Sequence, residues 1–173
     1  MDPLRARLRA ETRPEHEALD AAFGALDLSE PRDYATFLRA HHAASTLIEP
    51  LIAPAPGRVA ALVSDIGQIG GEVTCGFAYP ALQNAHPLGL AYVVAGSHLG
   101  AKVLRKRVES ASIERFRNAK RYFALPGTAE HWQAVLDSLT NVKPTEADAV
   151  IDGARIGFGC FAAALVFVKQ GAG

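Results

Sequence analysis

The chain contains 173 residues, of which 49% are hydrophobic and 21% are charged, and its 18 basic residues balance 18 acidic ones. This composition predicts one globular domain, residues 1–173, with a sizeable core, and it excludes a disordered chain. The neutral balance argues against nucleic acid as a partner, because nucleic-acid proteins usually carry a basic excess.

Three features of the sequence predict the cellular location of the protein. The charged segment 1–13 lacks the apolar run of a signal peptide. The longest uncharged apolar run, Ile156–Val168, has 13 residues, whereas a membrane-spanning helix needs about 20. Cys75 and Cys160 lack C-x-x-C spacing, so we expect neither a disulfide framework nor a zinc site. We therefore expect a cytoplasmic protein that binds no membrane.

Apolar residues recur with a spacing near 3.6 and no segment alternates for long, so the chain is predicted to be all-α. Thr12 with Glu15 has capping-box spacing at Pro14, where the first helical region restarts or kinks. Thr145 with Asp148 resembles the cap of the last helix. The predicted helices lie at about 4–26, 31–50, 59–66, 88–109, 128–139 and 145–169, with a long loop at 70–87 and an ambiguous stretch at 113–125.

The segment after Leu8 contains a candidate metal ligand. His16 and Asp20 are four residues apart, so a helix places them on one face. A ligating imidazole usually donates its second ring N–H to a carboxylate, and haem iron commonly takes one such histidine. Arg13 and Arg9, one and two turns before His16, could meet the anionic propionates. The same spacing fits an ordinary surface ion pair, so both interpretations remain open.

Two glycines, Gly96 and Gly100, lie inside a strongly apolar predicted helix. Each costs about 1 kcal/mol relative to alanine, so a compensating contact is expected. They share one helical face, where the missing side chains let another surface approach closely. That surface is either a neighbouring helix or a flat macrocycle, and the pattern does not decide between them.

Together these segments resemble the bacterial haem oxygenases. The pattern L-[KR]-x-x-T-[KR]-x-x-H, which ends at His16, is similar to the proximal helix of that family. The pattern Y-V-x-x-G-S-x-L-G, at 92–100, is similar to the distal helix of its phytochrome-associated branch. Arg121–Phe123 and the later pair His131 and Trp132 are similar as well. The resemblance covers the whole chain and implies a haem oxygenase-like helical bundle.

The resemblance implies roles for individual residues. His16 would be the axial ligand of the haem iron and Asp20 its hydrogen-bond partner. The distal side would consist of two glycines over the haem face and two polar residues that are candidates for holding water, namely Gly96, Gly100, Ser97 and His98. The other cofactor contacts implied are Arg9, Arg13, Tyr92 and Phe158.

The implied activity is the oxidative opening of haem, which is both cofactor and substrate, to biliverdin, carbon monoxide and iron. The implied partners are O2, an electron donor such as a ferredoxin or a flavoprotein reductase, and a bacteriophytochrome that could accept the biliverdin. The basic run from Lys102 to Arg107 is either a solvated helix end or a docking surface for an acidic donor.

Four positions depart from the family pattern. Ala95 and Ala101 stand where Glu and Gly are common, and Gln133 and Asp137 stand where animal-type relatives have basic propionate partners. These departures keep a non-catalytic haem-binding or haem-sensing protein as the alternative. Rivals from other classes are a thiaminase-like enzyme with a cysteine nucleophile, a di-iron bundle, and an interaction module whose core is filled at the His16–Gly96 face.

Overall fold

Proline and apolar periodicity divide the chain into helices, and the computed structural model describes residues 3–52 and 57–171. Helices make up 79% of the described residues, which contain no strand. The helices are α1 Pro3–Glu11, α2 Arg13–Gly24, α3 Pro31–Ile48, α4 Arg58–Gln68, α5 Pro87–Ser97, α6 Ala101–Glu109, α7 Glu114–Asn118, α8 Thr128–Thr140 and α9 Ala147–Gly171. Short 3-10 turns occur at Glu49–Leu51, Pro80–Asn84, His98–Gly100, Tyr122–Ala124 and Pro144–Glu146. The side chains of Ala101 and Lys102 lie outside the described part.

The centre of the fold is α9, which packs most extensively against α5 and α3. Glycines allow the close approach of α5 and α9. A β-carbon on Gly89 would collide with the backbone of α9 at Val150, and one on Gly153 would lie 2.6 Å from the carbonyl oxygen of His86. Because both obstacles are backbone atoms, neither can move aside cheaply. These glycines therefore set the spacing of the two helices.

Two groups of buried side chains form the core. One joins α1, α5, α8 and α9 around residues such as Leu8 and Phe161. The other joins α3, α4 and α7 around Tyr34, Phe37 and Leu62. Helices α3 and α9 contribute to both groups, so the described chain folds as one compact all-α domain.

The last helix extends beyond the uncharged run Ile156–Val168 on both sides. Pro144–Gly171 is long and apolar enough to cross a membrane by length and composition, with mean hydropathy 1.7, but 56% of its most apolar window is buried inside the protein. Burial of this kind is typical of the central helix of a globular domain. Asp152 and Arg155 form an ion pair of 2.9 Å within it.

The structure corrects three expectations about helix ends. The first helical region does restart after Thr12, but the hydroxyl of Thr12 donates to the carbonyl oxygen of Leu8 at 2.7 Å and makes no capping box with Glu15. The last helix begins after a 3-10 turn, and the described contacts include no capping hydrogen bond from Thr145. The predicted helix 88–109 is interrupted at His98–Gly100.

Candidate functional site

His16 lies on α2 with its side chain 58% exposed. Its Nδ1 is 3.3 Å from a carboxylate oxygen of Asp20, one helical turn further on. The imidazole ring meets the ring of Phe158 edge to face, with centroids 5.6 Å apart. Because Asp20 occupies Nδ1, the nitrogen left for an external ligand is Nε2. The pair of His16 and Asp20 expected from their spacing is therefore present, and it lies on the solvent-accessible surface.

The basic residues of α1 lie near α5 and α8. The guanidinium of Arg5 lies over the ring of Trp132, 5.7 Å from its centroid. Burial raises the pKa of the Tyr92 hydroxyl, while the positive charges of Arg5 and Arg9 act on it in the opposite direction. Both arginines are therefore close to Tyr92. Sequence reasoning missed Arg5, although it lies one turn before Arg9 and thus on the same helical face.

Arg13 does not join this group in the structure. Its Nε is 2.6 Å from a carboxylate oxygen of Glu17, and both side chains are largely exposed. The two predicted propionate partners, Arg9 and Arg13, therefore differ in their surroundings. An exposed ion pair of this kind is weak because solvent screens it, so Arg13 can exchange it for another anion at little cost.

Gly96 and Gly100 differ in what the described chain places beside them. A β-carbon on Gly96 would meet the ring of Trp132 at 3.6 Å, an ordinary contact, and one on Gly100 would meet nothing within 4 Å. Neither residue has a positive φ. A neighbouring helix therefore reaches Gly96 through Trp132 of α8, whereas no part of the described chain approaches Gly100, and the close helix crossing uses Gly89 and Gly153.

A change in hydrogen bonding at the carbonyl of Val94 accounts for the helix break beside these glycines. In a continuous α-helix, the carbonyl of Val94 would accept from the amide of His98. Here the amide of His98 turns to Ala95 and Gly96. The carbonyl of Val94 instead accepts from Ser97 Oγ at 2.8 Å and from Arg58 Nη1 at 2.9 Å. A charged side chain from α4 therefore ends α5 at this point.

Of the two predicted distal polar residues, Ser97 is exposed and His98 is turned inward. The hydroxyl of Ser97 donates within its own helix. The His98 ring lies 5.2 Å from the ring of Tyr122, and its buried Nε2 has no hydrogen-bond partner among the described residues. Burial, and then the charge of Arg58, lower the pKa of His98 to about 4. His98 is therefore neutral near pH 7.

A buried polar cluster lies behind this segment, and sequence reasoning missed it. Arg58 Nη2 donates to the hydroxyl of Tyr122, and that hydroxyl is 3.2 Å from Nδ1 of His41. Burial lowers the pKa of His41 well below its usual value, so His41 is neutral and can accept from Tyr122. Asp65 accepts the amides of Arg121 and Tyr122, both at 2.9 Å. The sequence does contain a signal for this cluster, because Arg58 is the one arginine on the otherwise largely apolar helix α4.

The departures from the family pattern and the basic run lie around the same region. Gln133 donates to Asp137 at 2.8 Å on the exposed side of α8, and Ala95 is buried. On the segment after the break, Leu99 and Val103 are 66% and 62% exposed. The predicted departure at Ala101, like Lys102 of the basic run, concerns a side chain outside the described part.

The site as a whole joins five elements. His16 from α2 contacts Phe158 from α9, Gly96 on α5 faces Trp132 on α8, and Arg5 of α1 lies over Trp132. No group of three or more His, Cys, Asp or Glu side chains suited to a metal ion occurs within 3–52 and 57–171, so an ion held by several such side chains is not supported there. No protein-family model matches the chain, and no curated protein is found to be similar to it.

Proposed function

We propose that the chain is a haem oxygenase-like helical protein that binds haem through His16 and opens it oxidatively. The observation that carries the proposal is that a β-carbon on Gly100 would meet nothing within 4 Å and one on Gly96 only the ring of Trp132, at 3.6 Å. Gly96 lies inside α5 and costs helix stability, whereas Gly100 lies in the 3-10 turn before α6. A flat ligand over this backbone would explain why both side chains are missing.

The donor set fits haem. An imidazole whose Nδ1 faces a carboxylate is a typical axial ligand with Nε2 free for iron, and this is the arrangement of His16 and Asp20. Phe158 adds an apolar wall beside the imidazole. Arg5 and Arg9 bring positive charge to one side of the site, where the anionic propionates would lie.

In the proposed reaction, haem would supply the redox chemistry and the residues of the chain would bind and orient it. Bound haem supplies the redox-active iron and the ring that is opened, with O2 and electrons from an external reductant. The residues of the chain bind and orient it: His16 fixes the iron side, the arginines of α1 fix the polar edge, and the glycine segment admits a small molecule on the other face. The neutral state of His98 avoids placing a second positive charge at that face.

The test of this proposal is a titration of the purified protein with haemin, followed in the visible spectrum. We expect a saturable Soret band that is lost or strongly shifted in His16→Ala and kept in His86→Asn, a control in which another capping residue replaces the cap of α5. Addition of ascorbate or a ferredoxin system should then produce biliverdin absorption and carbon monoxide. A Soret band identical in His16→Ala would remove His16 from the site and the proposal with it.

One observation favours the non-catalytic alternative, a haem-binding or haem-sensing protein of the same fold. The hydroxyl of Ser97 donates its single proton to Val94 within its own helix, so it can accept from a water but cannot donate to a ligand bound on that side. A His16-dependent haem complex that remains stable on reduction in air, with no biliverdin, would establish this alternative.

The rival enzyme class has less support. A thiaminase-like mechanism needs a nucleophilic cysteine in a pocket. Cys75 is exposed in the segment between α4 and α5, and Cys160 is buried. Burial raises the pKa of the Cys160 thiol to about 12, so its thiolate is scarce near pH 7.

The partners belong to the same proposal. An acidic ferredoxin or a flavoprotein reductase would dock on the basic and apolar surface that includes Val103 and Lys106, close to the glycine segment. A bacteriophytochrome would accept the biliverdin. The cytoplasmic location follows from this reductive chemistry, since such donors and reduced thiols share that compartment.

A further inference from the structure

A buried arginine of α4 is bonded to the end of α5. Arg58 is 0% exposed, and its two terminal nitrogens donate in two directions. Nη1 donates to the carbonyl oxygen of Val94 at 2.9 Å, and Nη2 donates to the hydroxyl of Tyr122. A planar guanidinium serves two such acceptors at once, because its N–H groups form a rigid fork. Arg58 therefore links α4, α5 and the 122–124 turn.

The surroundings hold Arg58 and its partner in place. The backbone amide of Arg58 donates to a carboxylate oxygen of Glu49. The central carbon of the guanidinium lies 5.1 Å from the ring centroid of Tyr122 and 5.7 Å from that of Phe161. The backbone amide of Tyr122 donates to Asp65, which also belongs to α4, at 2.9 Å. The guanidinium is thus fixed from several sides, and the end of α5 adapts to it.

The contact lies on the inner side of α5, away from the first glycine. Gly96 follows Val94 by two residues, so about 200° of helical rotation separate them. A side chain inserted into the ladder of backbone hydrogen bonds is a common cause of helix breaks. The turn that follows, His98–Gly100, rises about 2.0 Å per residue against 1.5 Å in an α-helix. Arg58 therefore acts from the core on the place of Gly100 and the start of α6.

We propose that Arg58 is a positioning residue of the haem site: it fixes the end of α5 from the core and so sets the place of segment 96–100 against the ligand. This inference rests on the proposed function. Arg58 is fully buried and acts through the carbonyl of Val94. Without Arg58, the amide of His98 can donate to that carbonyl, and α5 continues through 98–100. The segment then shortens by about 1.5 Å over three residues.

The first arm of the test is amide hydrogen exchange of the haem-free protein, measured by mass spectrometry on peptides that cover 95–104. We expect exchange to be about tenfold slower in Arg58→Met than in the wild type, because α-helical hydrogen bonds replace the poorer 3-10 ones. Arg58→Lys should lie between the two, since an ammonium is a single point donor. The control Gly67→Ala, also on α4, should leave this segment unchanged. A purely destabilising effect would have the opposite sign, because it speeds exchange.

The second arm measures CO affinity of the reduced haem complex. We expect Arg58→Met to keep the His16-dependent Soret band, with haemin affinity within about threefold of the wild type, because the iron side is untouched. CO affinity should fall about tenfold, because the segment on the other face has moved. Gly67→Ala should keep both affinities.

Either of two results would overturn the proposal: unchanged or faster exchange of the segment in Arg58→Met, or slower exchange with unchanged CO affinity. If Arg58→Met does not fold, Arg58→Lys carries both arms. A wild type that binds no haemin would overturn the proposed function itself. That titration is separate from the comparison of variants, so the two failures are distinguishable.

Discussion

The glycines of this protein differ in whether the fold leaves room for a side chain. Gly89 and Gly153 are required by backbone atoms of the opposite helix, whereas a β-carbon on Gly100 would enter open space. The sequence shows the same residue type at each position and does not separate the two kinds. The tertiary structure distinguishes them. Gly89 and Gly153 lie at a helix crossing, whereas Gly100 lies on an exposed segment.

Replacement of Gly100 separates ligand binding from stability. We expect Gly100→Val to leave Tm within about 2 °C of the wild type, because the new β-carbon meets nothing within 4 Å and the residue lies on an exposed turn. If haem binds as proposed, the same side chain would lie between the ligand and the backbone, so haem affinity should fall at least tenfold. Haemin titration and thermal unfolding measure the two effects. Unchanged haem affinity would mean that this glycine does not face the ligand.

At the scale of elements, the break after α5 is decided by a residue on another helix. The helical spacing of apolar residues from Leu88 continues through Val103 without a proline, so local propensity predicts one helix. Arg58 on α4 takes the carbonyl that would continue it. A buried guanidinium with two hydrogen bonds outweighs one backbone hydrogen bond, and the segment 98–100 tightens into a 3-10 turn.

The crossing of α5 and α9 gives a prediction about stability. We expect Gly153→Ala to lower the free energy of unfolding by about 3 kcal/mol or more, since its methyl group would lie 2.6 Å from the carbonyl oxygen of His86. The matched control is Gly67→Ala in α4, where nothing lies within 4 Å. That change should stabilise by up to about 1 kcal/mol. Urea unfolding measures both, and equal effects would contradict the account of the crossing.

At the scale of the whole molecule, burial of neutral histidines makes the fold sensitive to acid. Burial is the largest cause that lowers the pKa of His41, His42, His98 and His131. Unfolding returns these groups to a value near 6.5, so the unfolded chain binds more protons below that pH. The stability that depends on their neutral form is complete above pH 6.5 and is lost as the pH falls.

The expected loss can be measured on the haem-free protein. For His98, whose pKa is about 4 in the fold against 6.5, the free energy of unfolding should be about 2 kcal/mol lower at pH 5 than at pH 7.5. Urea unfolding at the two pH values measures the difference, and His98→Gln should reduce it. A pH-independent free energy of unfolding between 7.5 and 5 would show that His98 titrates normally in the fold.

The amino-acid sequence by itself determined the helical class, most helix positions and the local pair of His16 and Asp20, because these depend on periodicity and on spacings within one helix. It could not determine which glycines pack closely, where the predicted helix 88–109 breaks, or that Arg58, Tyr122 and His41 meet. Those features join α3, α4, α5 and the 122–124 turn across up to 81 positions of sequence. Only tertiary structure decides such contacts, because a buried charge or a close crossing is defined by what surrounds it.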